Sequence, residues 1–259
     1  MGHPSSFLPI IIPKDCNLLG SVDDLRNYYH EFEVSFNRAV STPVGPQWNA
    51  SDWEGSHALE ELRSRHPPAS IRSDTKVFMC FQGLSMGDHW APLIAQEAHE
   101  NLLKSFDALR PDEHLKFGEI LPRGNLGHFS GVCIDDKVNL QLVRKSCPNE
   151  PLRDSEACKN GDNAYQAAGL SYHPKKRLRR ASVYSAWGAE IEGVEGLVGA
   201  KRSRLASLAF ATGLAAKSPA LTRHLLQVLL GCWAFCFQFR RPLFSIIHEL
   251  YHVGAPNGS

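Results

Sequence analysis

The stretch that most restricts the fold is residues 129–143, FSGVCIDDKVNLQLV. An apolar run leads into Asp135 and Asp136. Apolar and polar residues then alternate, with the apolar positions at Val138, Leu140 and Leu142. This pattern predicts a β-hairpin with the acids at its turn. Two like charges at a tight turn repel each other unless a cation neutralises them. Aspartate is also common in turns for purely structural reasons, so the pair alone does not decide between a structural and a functional role.

Composition narrows the class of protein. A formal net charge of +1 gives no overall attraction to nucleic acid, so binding of that kind must come from local patches. The seven cysteines are odd in number and include no CxxC pair, which argues against a disulfide framework and a structural zinc site. We therefore expect an intracellular protein, cytoplasmic or nuclear. The longest apolar stretch, 225–239, is shorter than the about 20 residues of a bilayer span, so we predict a buried helix and no membrane partner.

The order of patterns along the chain predicts its organisation. Segments rich in Pro, Gly, Ser and Asp predict loops on both sides of a short helix, HALEELRSR. Apolar residues at helical spacing predict a second helix within 85–109. Residues 182–193 read as strand, and from 201 onward the pattern is helical. The intervening segments 110–128 and 146–163 read as irregular excursions. We predict an α+β fold, with a mixed domain at 1–196 followed by a helical region at 197–259.

A second acidic feature precedes the hairpin in the sequence. Asp24, with Asp23 beside it, follows an apolar run in LLGSVDDLRNYY. Mg²⁺ is bound in proteins by one or two carboxylates together with substrate phosphates. Two such ions can stabilise the attacking and leaving oxygens of a phosphoryl displacement. Asp24 and the Asp135–Asp136 pair would form such a site if the fold brings them together.

Five motifs in order resemble a known family. The Asp24 segment is followed by the Phe-Gln-Gly triplet at 81–83, the hairpin at 129–143, AGLSYHPKK, which ends at Lys176, and AWGAEIEG at 186–193. This order is similar to the reverse transcriptase palm of retroelements, over roughly residues 15–250. The resemblance implies an antiparallel palm sheet flanked by helices within 1–196, with the fingers largely missing. It also implies a helical thumb-like region after the palm.

The resemblance implies roles for individual residues in template-directed nucleotidyl transfer by an RNA-directed DNA polymerase. Asp24 and Asp135 match metal-binding aspartates, with Asp136 in support, for two Mg²⁺ ions or Mn²⁺ in their place. Lys176 matches the lysine that protonates the leaving pyrophosphate. The implied partners are an RNA or DNA template-primer and deoxynucleoside triphosphates. The sequence does not predict an oligomeric state.

Other matches concern the substrates. Tyr29 falls at the aromatic position that excludes a ribose 2′-hydroxyl. Gln82 and Gly83 match the turn that contacts the incoming nucleotide and the template. Trp187 and Gly188 begin the hairpin that grips the primer end.

A dense basic run follows the fourth motif, PKKRLRR at 174–180. Its cations could contact a phosphate backbone, and we take them as candidate nucleic-acid-binding residues: Lys175, Arg177, Arg179 and Arg180. A nuclear localisation signal and a solvated loop are the alternatives.

Two other functions remain open. The chain departs from the family pattern, with Cys133 two positions before Asp135 and Lys137 after the acid pair, and fewer than 25 residues precede Asp24. The missing fingers, Cys133 and the Gly87-Asp88 pair after the Gln82-Gly83 turn favour a catalytically inactive retroelement remnant that at most binds nucleic acid. The C-terminal sequence His248-Glu249-Leu-Tyr-His252 also fits the H-E-x-x-H pattern of a zinc peptidase, but no His, Asp, Glu or Cys follows it as a third ligand.

Overall fold

The structure is a computed structural model that describes residues 1–67, 70–123 and 127–254, with side chains up to residue 250. The chain forms two compact units, one made of Met1–Arg26 with Ala95–Ser259 and the other of Asn27–Ile94. The strands of the described residues are β1 (Cys16–Asp24), β2 (Pro43–Asn49), β3 (Lys76–Cys80), β4 (His128–Cys133), β5 (Asp136–Arg144), β6 (Leu178–Ala181), β7 (Val183–Ala186), β8 (Ala189–Glu192) and β9 (Leu197–Ala200). The α-helices are α1 (Phe36–Ala39), α2 (His57–Ser64), α3 (Ala91–Ser105), α4 (Arg153–Ala167), α5 (Arg202–Lys217), α6 (Arg223–Phe237) and α7 (Phe244–Gly254).

The first unit is built on a four-stranded antiparallel sheet in the order β4-β5-β1-β6. The predicted hairpin is confirmed as β4 and β5, joined by a two-residue turn at Ile134 and Asp135. A second antiparallel sheet, β7-β8-β9, follows in the same unit. Antiparallel sheets combined with helices confirm the predicted α+β class.

One apolar core joins the two sheets of this unit to its last three helices. Val22, Val138 and Leu140 from the central sheet share the core with Tyr184 and with residues of α5–α7. Full burial of such side chains contributes about 1.5–3 kcal/mol each. The core therefore includes residues on both sides of residue 196. The predicted division into 1–196 and 197–259 stays a prediction.

The other face of the central sheet is unusually polar. Lys137, Asn139 and Gln141 alternate with the apolar residues of β5, and each is at most 1% exposed. Lys137 Nζ donates to the Ala157 carbonyl on α4 at 3.1 Å, and Asn139 Nδ2 lies 3.6 Å from Cys158 Sγ on the same helix. Polar side chains buried at a helix–sheet interface are stable only when they are hydrogen-bonded, and these contacts supply partners.

The helix α4 corrects the sequence prediction of an excursion over residues 146–163. Its buried face is made mainly of Ala, Cys, Gly, Asp and Arg rather than large apolar residues, so no helical hydrophobic pattern is visible in the sequence. Gly161 lies where an added Cβ would come within 2.6 Å of Lys137 Nζ, so the small residue gives the lysine room. The other predicted helices, in 57–65, in 85–109 and from 201 onward, are confirmed as α2, α3 and α5–α7.

The second unit contains an antiparallel pair of strands, β2 and β3, with the helices α1 and α2. The sequence prediction missed β2, because Pro43, Gly45 and Pro46 are typical of a loop. Ser56 caps α2 by accepting a hydrogen bond from the Leu59 backbone N–H at 3.2 Å. Across the ranges that the structure describes, every helix is too short or too polar to cross a bilayer.

Candidate functional site

The fold brings the three predicted carboxylates together. Asp24, the last residue of β1, pairs directly with Asp136, the first residue of β5. Asp135 lies in the adjoining turn, where its carbonyl accepts a hydrogen bond from the Leu25 N–H at 3.0 Å. Residues more than a hundred positions apart in the chain thus meet at one end of the central sheet.

The electrostatics of this cluster are those of crowded acids. Burial, reinforced by the charges of Asp135 and Asp24 and by a hydrogen bond to Asp24, raises the pKa of Asp136 to about 7. Burial also raises the pKa of Asp135, with a further contribution from Asp24. The cluster therefore holds a proton more readily than ordinary carboxylates do, which is expected where a cation would relieve the repulsion.

Lys176 supplies the nearest positive charge. Its Nζ lies 2.5 Å from Asp24 Oδ2, and this hydrogen bond raises the pKa of the lysine. The segment before β6 runs antiparallel to the end of β1: the His173 N–H donates to the Asp24 carbonyl at 2.8 Å, and Tyr172 pairs with Leu25. These backbone bonds place Lys176 beside the acids.

A cleft of about 520 Å³ opens next to the carboxylates. Asp24 and Asp136 line it together with four lysines, Lys137, Lys175, Lys176 and Lys201. Lys201, which directly precedes α5, was not predicted from the sequence, where the only signal is a Lys-Arg pair before a helix. Carboxylates and lysines in one cleft could bind a divalent cation and a phosphate side by side.

Trp187 and Gly188 form the turn of the β7–β8 hairpin beside this cleft. Both have positive φ, +50° and +82°, as a two-residue hairpin turn of this kind requires. The Trp187 ring is 9% exposed and stacks on Phe7 with ring centroids 4.9 Å apart. Its Nε1–H points at the Asp136 carbonyl at 3.4 Å. The indole therefore packs against β5 at Asp136. The assignment of Trp187 to primer binding stays a prediction.

Solved structures identify the architecture. The chain superposes on a foamy viral protease-reverse transcriptase in complex with an RNA/DNA hybrid with a TM-score of 0.58 and 16% identity, covering 99% of this chain and 26% of that one. The same protein in complex with double-stranded DNA matches with a TM-score of 0.53 and 17% identity, covering 96% of this chain and 40% of that one. The chain has a reverse-transcriptase-like fold. It spans only about a quarter to two fifths of the length of these proteins.

At such low sequence identity the likeness concerns the fold alone. No protein-family model matches the sequence, and no curated protein is significantly similar to it. The reverse-transcriptase-like fold agrees with the family resemblance of the motifs.

Most of the predicted basic run is engaged inside the fold. Arg177 and Arg179 both form ion pairs with Asp23, which is 1% exposed, and with Asp162 on α4. Arg180 donates to the Glu150 carbonyl at 2.8 Å and lies 3.4 Å from Asp154. The nucleic-acid role of these three arginines stays a prediction. Lys175 is exposed and lines the cleft.

The predicted nucleotide-contacting residues lie in the second unit, where they are neighbours. The Leu84 N–H donates to the Tyr29 carbonyl at 3.1 Å, and Gly83 pairs with Glu33. Gln82 Nε2 donates to Glu33 Oε1 at 2.8 Å. Tyr29, Gln82 and Gly83 therefore lie close together. Their predicted contacts with the incoming nucleotide need this proximity and stay a prediction.

The carboxylates are suited chemically to a magnesium ion. They offer several hard oxygen donors in a partly buried site, where burial and the neighbouring acids raise the pKa of Asp136. Within the described residues, no three His, Cys, Asp or Glu side chains are already grouped as a metal site. Asp24 is instead paired with Lys176, so a metal ion bound here would displace the lysine ammonium from Asp24.

The zinc-peptidase alternative falls on α7. His248 and Glu249 are exposed on this helix, while the side chain of His252 lies outside the described residues. The zinc-peptidase alternative therefore stays a prediction.

Proposed function

We propose that this chain is the catalytic palm of an RNA-directed DNA polymerase of the retrotransposon type. The observation that carries the proposal is the pairing of Asp24 with Asp136 beside Asp135, within a reverse-transcriptase-like fold. The solved structures with this fold are bound to an RNA/DNA hybrid or to double-stranded DNA, which supports a template-primer as the partner. Deoxynucleoside triphosphates are the proposed second substrate.

The proposed reaction is nucleotidyl transfer. The primer 3′-hydroxyl loses its proton to water, its oxygen forms a bond to the α-phosphorus of the triphosphate, and the bond from that phosphorus to the pyrophosphate oxygen breaks. Asp24, Asp135 and Asp136 would hold Mg²⁺, or Mn²⁺ in its place, which when bound offsets the negative charge of the phosphates. Lys176 is charged and next to the acids, so its ammonium can donate a proton to the leaving pyrophosphate.

Further residues would bind the substrates. Lys175 and Lys201 line the cleft and can attract the phosphates of the triphosphate or of the primer. In the second unit, Tyr29 would exclude a ribose 2′-hydroxyl, while Gln82 and Gly83 would contact the nucleotide and the template. Because the Trp187 ring is buried, the Trp187–Gly188 turn would contact the primer end through its backbone.

A primer-extension assay tests the proposal. The purified chain is incubated with an RNA template, a DNA primer, the four deoxynucleotides and Mg²⁺ or Mn²⁺. Asp135→Asn should lower extension by about a hundredfold or more, because it removes a ligand of the Mg²⁺ that offsets the negative charge of the phosphates. Asp112→Asn is the matched control, since Asp112 is an exposed acid of the same unit and should leave extension unchanged. Equal extension by Asp135→Asn and wild type would remove the assignment.

A second candidate function is nucleic-acid binding without catalysis. Lys176 neutralises Asp24 from within the protein, so the acids can be held stably with no metal present. Under this hypothesis the chain binds a template-primer with strong salt dependence but does not extend it with either ion. Extension that depends on Asp135 would exclude this alternative.

A further inference from the structure

The turn that carries the acid pair contains a strained residue. Ile134, between β4 and β5, has φ of +57°, in the left-handed region. A β-branched side chain is rare there because its branch clashes with the backbone. Such a conformation persists only when the surroundings enforce it. Because Asp135 and Asp136 follow directly, the conformation of Ile134 sets where these carboxylates lie.

Two side chains of α3 bind the backbone of this one residue. The Ile134 N–H donates to Gln96 Oε1 at 2.8 Å, and the Ile134 carbonyl lies 2.7 Å from His99 Nδ1. Gln96 also donates from Nε2 to the Val132 carbonyl at 3.1 Å, on the strand that leads into the turn. Gln96 and His99 are 4% and 0% exposed, so water does not compete for these bonds.

Tyr165 of α4 sets the orientation of His99. Since a carbonyl can only accept, Nδ1 must carry the proton, and Nε2 must accept the hydrogen bond from the Tyr165 hydroxyl at 2.9 Å. Burial lowers the pKa of His99 to about 4, so the ring is neutral and has one donor and one acceptor nitrogen, as this arrangement needs. Tyr165 is itself 1% exposed.

We propose that Gln96 and His99 are positioning residues that hold Ile134 in its left-handed conformation and so fix Asp135 and Asp136. We call the hydrogen bonds from Gln96 and His99 to the Ile134 backbone the clamp. The role of the carboxylates rests on the proposed function, whereas the clamp on Ile134 does not. A glutamine and a histidine that served only as satisfied core residues would not both be directed at a single strained residue. Tyr165 acts through His99.

Rescue by glycine tests this role. Gln96→Leu should weaken Mn²⁺ binding, measured from the electron paramagnetic resonance of the free ion, by about 10- to 100-fold, the usual effect of losing a supporting hydrogen bond at a metal site. Adding Ile134→Gly should restore most of the affinity, because glycine adopts positive φ without a steric penalty and needs no clamp. Retained Mn²⁺ affinity in Gln96→Leu, or no recovery with glycine, would overturn the proposal.

Gln141→Leu is the matched control. Gln141 is a fully buried glutamine of the same sheet, and its Oε1 accepts from the Asp154 N–H rather than from the turn. Its loss should lower stability while leaving Mn²⁺ affinity unchanged, and adding Ile134→Gly should not raise the affinity in this background. A loss of affinity in Gln141→Leu that glycine restores would contradict a role specific to Gln96.

A second measurement separates this proposal from the proposed function. If wild type binds no Mn²⁺, the metal-dependent function fails, and the clamp is judged by unfolding in denaturant. Ile134→Gly should then raise the free energy of unfolding more in the Gln96→Leu background than in wild type. Equal changes in the free energy of unfolding in the two backgrounds would overturn the proposal. If Gln96→Leu does not fold, Tyr165→Phe replaces it in both measurements, because it removes only the hydroxyl that orients His99. The same rescue by glycine is expected.

Discussion

Asp24 and Asp136 are directly opposite each other in the antiparallel pairing of β1 and β5. Like charges at opposite positions destabilise a sheet, and here Asp135 adds a third acid at the same end. Chains break such local rules chiefly at functional sites. The neighbouring register pair, Asp23 with Lys137, obeys the rule, so the like-charge pairing is confined to the end of the two strands.

The first prediction concerns the pH dependence of stability. The pKa of Asp136 is raised in the folded state to about 7, from an ordinary value of 3.8. Between these values the folded state binds a proton that the unfolded state lacks, so the free energy of unfolding falls as pH rises through this window. Asp136→Asn should therefore stabilise the protein at pH 8, by up to about 4 kcal/mol, and by nothing near pH 3. Urea unfolding at a series of pH values measures this.

Comparison of the variant with wild type isolates this effect. Buried His99 and His114 have lowered pKa values and change stability in the opposite direction, but they are present in both proteins and cancel in the difference. Mg²⁺ should stabilise wild type more than Asp136→Asn, because it binds the charged carboxylates. A difference between the two proteins that does not change with pH would contradict the raised pKa.

The sequence was sufficient to predict the hairpin, because alternation and turn chemistry are local signals. The meeting of its acids with Asp24 depends on tertiary contacts and was expected only from the resemblance to the reverse transcriptase palm. The sequence was insufficient for α4, whose buried face uses small and polar residues. It also could not show that Arg177 and Arg179 pair with Asp23 and Asp162, since ion pairing depends on tertiary contacts. The clamp on Ile134 could not be predicted for the same reason, because a sequence does not indicate which buried glutamine will contact a turn.

The second prediction concerns a buried ion pair away from the cleft. Arg153 Nε donates to Glu113 Oε1 at 2.9 Å, and Glu113 is 0% exposed. His128 Nδ1 lies 3.2 Å from the same carboxylate. Arg153→Met should lower the free energy of unfolding by about 3–5 kcal/mol, because it leaves a buried charge without its main partner. Thermal or urea unfolding measures the loss.

A double variant supplies the control for this pair. Glu113→Gln combined with Arg153→Met removes both charges and should be more stable than Arg153→Met alone. If the double variant is instead less stable by the sum of the two single losses, the two side chains do not interact as the structure indicates.

The third prediction uses two glycines. A Cβ on Gly193 would lie 1.7 Å from the Leu18 carbonyl oxygen, and the Leu18 N–H donates to the Gly193 carbonyl at 2.9 Å. Gly193→Ala should therefore destabilise the fold by about 2 kcal/mol or more, because backbone atoms must move. Gly199, in β9, has open space around its Cα, so Gly199→Ala should change stability by less than about 1 kcal/mol. Equal effects of the two changes on the unfolding midpoint would show that the close approach to β1 is absent.

The fourth prediction separates surface cations from structural ones. Lys175 is exposed and lines the cleft, whereas Arg179 lies 2.7 Å from the buried Asp23. If the chain binds a template-primer, Lys175→Gln should lower the slope of log affinity against log salt by about one, as for the loss of one phosphate contact. Arg179→Gln should leave that slope unchanged and lower stability by roughly 2 kcal/mol, since it removes a partner of a buried acid. Fluorescence anisotropy across a salt series, combined with urea unfolding, measures both quantities. A reduced salt slope in Arg179→Gln with unaltered stability would reassign this arginine to the nucleic-acid surface.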